Sequence, residues 1–179
     1  MQRWIAAVAT ALILASGAAY AQTANDSSAP VDVSADEQEV INSQCKQIFR
    51  GNVEVLQDKA RLRAAVISVY NKRKPGGSGS GSCGEAERLE ADGDVFYVTA
   101  DQTVRGDHAV YNYSSDTIVI TGDVIVVRGR DVARGDKMTV QTKTNDVKLE
   151  SSVKGRGKPG RVRSVIYPDD SKKTAEPKR

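Results

Sequence analysis

Histidine is almost missing from this chain: of 179 residues only His108 supplies an imidazole. No Ser/His/Asp set, HExxH pair or phosphate loop surrounds it, so the residue patterns of hydrolases, metalloproteases and nucleotide enzymes are absent. An enzyme is therefore not expected, and neither is a catalytic, metal or cofactor site. Bulky aromatics are equally scarce. Trp4 stands alone, and the only phenylalanines are Phe49 and Phe96. Beyond residue 21 there is no long apolar run and no segment that holds a 3.6-residue period for three turns, which excludes both a helical body and a second membrane span. Net charge is small at +3, but it is unevenly spread. Residues 22 to 153 carry 16 basic and 20 acidic side chains, whereas residues 154 to 179 carry nine and three. That balance does not describe a nucleic-acid surface.

What the chain does contain is a repeat. Gly93-Asp94-Val95 returns as Gly122-Asp123-Val124, and Arg105-Gly106-Asp107 as Arg134-Gly135-Asp136, each 29 positions on. Gly51-Asn52-Val53 and Arg63 precede Gly93-Asp94-Val95 and Arg105 by 42 positions, and the stretch Lys72–Gly84 accounts for the 13 extra residues. A partial opening copy places Ala35-Asp36 before Gly51 as Gly106-Asp107 stands before Gly122. Fixed-period self-similarity marks supersecondary units that stack to bury their apolar faces. The Asp residues beside the glycines resemble calcium β-roll positions, but their spacing of 13 to 16 residues is wrong for a nonapeptide. They fit turns and bends instead.

Within each copy apolar residues alternate with period two, so the units are strands. Val53 and Val55, Val95 and Tyr97, and Val124 and Val126 share the inward face. By the same alternation Ile67, Val69, Ala109, Tyr111, Tyr113, Ile118, Ile120, Met138, Val140, Val147 and Leu149 point in, while His108, Val119 and Lys148 point out. A glycine inside a strand such as Thr117–Arg128 marks a bulge or sharp bend. Bent strands running up and down predict an all-β fold, an elongated antiparallel jelly-roll of two facing sheets with open edge strands at both ends. A parallel β-helix is the alternative. The expected edges lie near Val31–Ala35 and Arg161–Tyr167.

The organisation expected is a secretory signal over residues 1–21 ending in Ala19-Tyr20-Ala21, then a flexible segment over 22–33. The β-domain is expected over 34–167 with an insert loop at 72–84, followed by a disordered basic tail over 168–179. An uncleaved anchor is the competing reading of the first segment. Two cysteines in an exported chain favour a disulfide. Cys45 and Cys83 fall at the same end of the stack, roughly 10 Å apart by strand spacing, and the Gly/Ser insert can close that gap. Two free thiols are the alternative.

The ordered set GNVEV, GDVFYVTADQTVRGDHAVYNY and TGDVIVVRGRDVARGDKMTVQTKT, behind an export signal, resembles the OstA-like family of periplasmic lipopolysaccharide export proteins, from about Ser34 to Val153. The resemblance implies a carrier in the periplasm that shields lipopolysaccharide acyl chains in an apolar groove. Its partners would be an LptC-like inner-membrane protein, an LptD-like outer-membrane protein, and further copies of itself joined head to tail. The groove lining would then be the inward set Val53, Val55, Ile67, Val69, Val95, Tyr97, Ala109, Tyr111, Ile118, Ile120, Val124, Val126, Met138 and Val140. Arg61, Arg63 and Arg105 would stand at the groove mouth to meet phosphates. Two other readings remain open: an envelope interaction sandwich that binds no lipid, and an LptC-like membrane-anchored relative.

Overall fold

The computed structural model describes residues 29–76, 82–144 and 146–168. The expected signal and most of the expected tail lie outside the described residues. The rest is one antiparallel sheet of ten strands. In chain order these are β1 (Val31–Ser34), β2 (Glu37–Ile41), β3 (Lys46–Gln57), β4 (Ala60–Arg73), β5 (Cys83–Val98), β6 (Thr103–Asn112), β7 (Thr117–Arg128), β8 (Asp131–Gln141), β9 (Asp146–Glu150) and β10 (Arg163–Val165). From β3 to β8 each strand pairs with its chain neighbour. At one edge β1 and β2 both pair with β3, and at the other β9 and β10 both pair with β8. A 3₁₀ turn, Asn42–Gln44, leads from β2 into β3. β1 begins at Val31, so the sheet takes in residues 31–33 that the sequence reading assigns to a flexible segment.

Every long strand is interrupted at the same level. Register shifts fall between Arg50 and Val53, Asp92 and Val95, and Thr121 and Val124 on the odd-numbered strands, where two residues oppose one. The Gly-Asn and Gly-Asp pairs of the repeat supply the unusual backbone: Gly93 has φ +78 and Asp94 φ +45. Glycine reaches this region without a Cβ penalty, and Asn and Asp tolerate it. A carboxylate covers several of these bends. Asp36 donates its N–H to the carbonyls of Arg50 and Gly51 at 3.1 and 3.0 Å, and its Oδ2 accepts from Asn52 Nδ2 at 2.9 Å. Asp136 repeats the device at the last bend, accepting from Ser152 N–H at 2.8 Å and Ser152 Oγ at 2.7 Å.

Aligned bends crease the whole sheet. Its two halves face each other, and the two sheets expected from sequence are these halves of one sheet. Residues from both sides of the crease join a single hydrophobic cluster: Phe49, Ile67, Ala91, Ala109, Ile120 and Met138 from one half, Val53, Ala64, Val95, Val104 and Val124 from the other. Gly106 and Gly135 allow the close approach. A Cβ on Gly106 would lie 2.5 Å from Ile120 Cγ2, and one on Gly135 would lie 2.9 Å from Leu149 Cγ. Burial of roughly 25 cal/mol per Å² of apolar surface holds the halves together.

Cys45 and Cys83 form a disulfide with a Cα separation of 5.3 Å. The insert closes the distance by extending the β4–β5 hairpin, with Lys74 N–H donating to Ser82 C=O at 2.7 Å. Asn71 N–H also donates to the Cys45 carbonyl at 2.8 Å. The bridge ties the turn between β2 and β3 to that hairpin.

Candidate functional site

The pairing register converts single inward residues into continuous rows. In one half, Val33, Val55, Leu62, Tyr97, Val104, Val126 and Ala133 are successive Cα partners from β1 to β8. In the other half, Val69, Leu89, Tyr111, Ile118, Val140 and Val147 form the matching row from β4 to β9. Deeper, beside the crease, Phe49, Ile67, Ala91, Ala109, Ile120, Met138 and Leu149 line up across the same sheet. Val53, Val95 and Val124 face Ala64, Gly106 and Gly135 on the opposite side of the crease.

Exposure is graded along each strand. Ile67, Val95, Val124 and Met138 near the crease are fully covered. Val55, Val69, Tyr97, Tyr111, Ile118 and Val126, further out, are half-buried. The interior is thus a cleft filled at its base and looser towards its rims. All fourteen residues expected to line a groove lie on this inner face: Val53, Ile67, Val95, Ala109, Ile120, Val124, Met138 and Val140 are in its buried core, and the other six are at its looser level.

Two residues expected to point inward lack cover at the strand tips. Tyr113 is 38% exposed in the turn after β6, and Val147 is 44% exposed on the short edge strand β9, where no further strand covers it. Tyr113 packs instead on Tyr111, ring centroids 4.3 Å apart. Burial, and then the neighbouring Tyr111, push the Tyr97 hydroxyl above its usual range. Partial burial and Tyr111 do the same to Tyr113. Tyr97 and Tyr111 come from facing rows, so phenolic groups from both halves meet near the rim.

The three arginines placed at a groove mouth are elsewhere. Arg61 and Arg63 alternate with inward Leu62 and Ala64, and Arg105 with inward Val104, so all three project from the outer face. Cross-strand carboxylates hold them there. Arg61 bonds Glu54, Arg63 lies 3.8 Å from the same carboxylate, and Arg105 lies 3.3 Å from Asp94. The bond from Arg61 keeps the Glu54 carboxyl below its ordinary range. His108 also faces outward, its Nδ1 2.6 Å from Asp92 Oδ1.

Alternation misses the inner positions Leu62, Ala64 and Val104, whereas Leu89 and Ala91, unnamed above, keep the parity of Val95 and Tyr97 and lie within its reach. On β4, β6 and β8 the inward parity changes at the crease, from Leu62 and Ala64 to Ile67 and Val69, for example. The Arg61-Leu62-Arg63 triplet carried the signal, because two exposed arginines flank one inward leucine.

Two hollows lie at the sheet edges. One of about 230 Å³ is lined by Val40, Ile41, Cys45 and Cys83. The other, about 280 Å³, is lined by Leu149, Glu150, Val153, Lys154, Arg161 and Val162. Among the described residues no helix is long and apolar enough to cross a membrane.

Known proteins share this pattern. An uncharacterized protein of Rhizobium meliloti (strain 1021) is 30% identical over 169 residues, covering 94% of this chain and 86% of that protein. The crystal structure of LptH, the LptA homologous periplasmic component of the lipopolysaccharide transport device from Pseudomonas aeruginosa, has the same fold at 19% identity. The TM-score is 0.65, over 80% of this chain and 99% of that one. Residues 32–156 match the family described as LptA/(LptD N-terminal domain) LPS transport protein. The chain belongs to that LptA/LptD N-terminal family of LPS transport proteins.

Proposed function

We propose that this protein is a periplasmic carrier that shields lipopolysaccharide acyl chains between the two halves of its creased sheet. It would pass them from an LptC-like inner-membrane protein towards an LptD-like outer-membrane one. Residues 1–21 act in this reading as the export signal. The observation that carries it is the pair of apolar rows, which cross the sheet strand after strand without a charged inward residue. Each CH₂ withdrawn from water is worth about 0.8 kcal/mol, so an acyl chain of about twelve carbons needs a shielded path worth on the order of 10 kcal/mol.

The edges support assembly head to tail. β1 and β2 run antiparallel to β3, and β9 and β10 antiparallel to β8. Placing the β1–β2 edge of one copy against the β9–β10 edge of another therefore preserves the antiparallel alternation. Open edges invite such additions. The rows then continue from one copy into the next.

The filled base of the cleft favours one other reading, an inert structural sandwich that binds no lipid. Photo-crosslinkers at Tyr97 and Tyr111 decide between them. They should label lipopolysaccharide, while Val119 and Lys148 on the outer face should not. Equal labelling from both faces rejects the carrier reading.

A further inference from the structure

The last strand position of the sheet departs from all the others. β9 and β10 both pair with β8 and occupy the two halves of one strand, but between them the tight glycine bend is replaced by residues 151–162. This segment contains Lys154, Arg156, Lys158 and Arg161 and no acidic residue. All four cations are exposed. Its base is fixed: Asp136 accepts hydrogen bonds from Ser152 N–H and Oγ at 2.8 and 2.7 Å and from Ser151 Oγ at 3.2 Å.

The nearby carboxylates are already engaged. Asp136 is held by those serines, and Glu150 pairs with Lys148 at 2.9 Å. Glu150 shares the wall of the hollow with Lys154, and the bond from Lys148, joined by the charges of Lys137 and Lys154, keeps its carboxyl below the ordinary range. Four positive charges therefore converge on a short segment whose acidic neighbours are satisfied elsewhere. Beside them lies the hollow of about 280 Å³, with Lys154 and Arg161 on its wall together with Leu149, Val153 and Val162. Leu149 is also the last member of the deep apolar row, following Ile120 and Met138. Cationic surface and apolar path meet at this edge.

We propose that the 151–162 segment is a headgroup site for a phosphorylated, acylated glycolipid. Lys154 and Arg161, with Arg156 and Lys158, take the phosphate, while Leu149, Val153 and Val162 lead the acyl portion towards the inner rows. The proposal rests on the carrier reading and adds a charge requirement to it. Arginine and lysine suit this role because phosphate oxygens accept several charge-assisted hydrogen bonds at once. The family match ends at residue 156, so Lys158 and Arg161 lie beyond it.

The test is equilibrium binding of the full chain to diphosphorylated lipid A and to the same lipid with its phosphates removed. The comparison protein carries Lys154→Gln, Arg156→Gln, Lys158→Gln and Arg161→Gln. A charge control carries Lys59→Gln, Lys72→Gln and Lys74→Gln. Wild type and control should prefer the phosphorylated lipid by on the order of tenfold, as several exposed charge contacts acting together provide. The quadruple variant should lose that preference and keep its affinity for the dephosphorylated lipid. Equal affinity of wild type for both lipids, or an unchanged preference in the variant, overturns the headgroup site and leaves the carrier reading standing. Inorganic pyrophosphate bound as tightly as lipid A also overturns a lipid site. Loss of self-association with the lipid preference intact assigns the cations to the acidic β1–β2 edge of another copy and rejects the proposal. Failure of wild type to bind either lipid rejects the carrier reading itself.

Discussion

Gly122→Ala tests the crease directly. Gly122 has φ +99, and a Cβ built on it would lie 2.2 Å from Asp107 Oδ2, 2.5 Å from its Cγ and 2.6 Å from its Cβ. A new Asp107 rotamer relieves the first two contacts but not the third, because Cβ does not move with χ1. Positive φ costs an alanine roughly 1–2 kcal/mol and overpacking roughly 1–3, so the substitution should cost about 2–5 kcal/mol. That is a large share of the roughly 5–15 kcal/mol of a whole domain. Urea unfolding followed by far-ultraviolet circular dichroism measures it. Asp107→Gly, added to Gly122→Ala, should recover the overpacking part, less about 0.5–1 kcal/mol for the new glycine. Asp107→Ala should recover little, since its Cβ stays in place. A cost below about 1 kcal/mol for Gly122→Ala, or equal rescue by alanine and glycine at position 107, refutes the crease geometry.

Reducing the Cys45–Cys83 bridge, which spans a sequence separation of 38, should remove about 4 kcal/mol on the chain-entropy estimate. An unchanged urea midpoint with and without reductant would count against it. Tyr97 should show in the alkaline limb of the stability curve. Its folded pKa is raised above the usual 10, so the folded chain keeps this proton longer than the unfolded chain does. The contribution is intact below about pH 10 and falls as pH rises through the folded value. Tyr97→Phe should flatten that decline, and an unchanged slope would contradict the burial of the hydroxyl.

The fold was legible because the repeat and the alternation agree along Thr117–Arg128. Ile118, Ile120, Val124 and Val126 keep one parity through Gly122, so counting by twos places all four correctly. The same counting fails on β4, β6 and β8. There the crease inserts an odd step, so counting back from Ile67 or Ala109 misses Leu62, Ala64 and Val104. The resemblance, not the alternation, placed Arg61, Arg63 and Arg105 at a groove mouth, and they lie on the outer face. A sequence does not announce which partner of a bulged pair carries the extra residue; cross-strand register decides it. Strand tips are illegible for a related reason. Alternation predicts direction but not cover, and Tyr113 and Val147 lack a further strand to bury them. The disulfide was legible in pairing but not in distance, because the hairpin extension carries Cys83 back towards Cys45.

The crease also explains the choice of side chains across the cleft. Facing layers filled by large side chains stand about 10 Å apart. Near a fold in a single sheet the separation is smaller, so small residues must alternate there with larger ones such as Ile67, Ile120 and Met138. Ala64, Ala91, Gly106, Ala109 and Gly135 occupy that level. Towards the rims the gap widens, and Leu62, Tyr97, Val69, Leu89, Tyr111 and Ile118 fill it. Backbone hydrogen bonds run across these rows within each half, whereas side-chain contacts alone join the rims of the two halves. On the carrier reading proposed above, a guest entering at the rim would displace apolar contacts and leave the ladders intact. Apolar guest atoms replace what is lost, so the exchange requires no unsatisfied polar group, whereas entry at the base would force the crease itself to open.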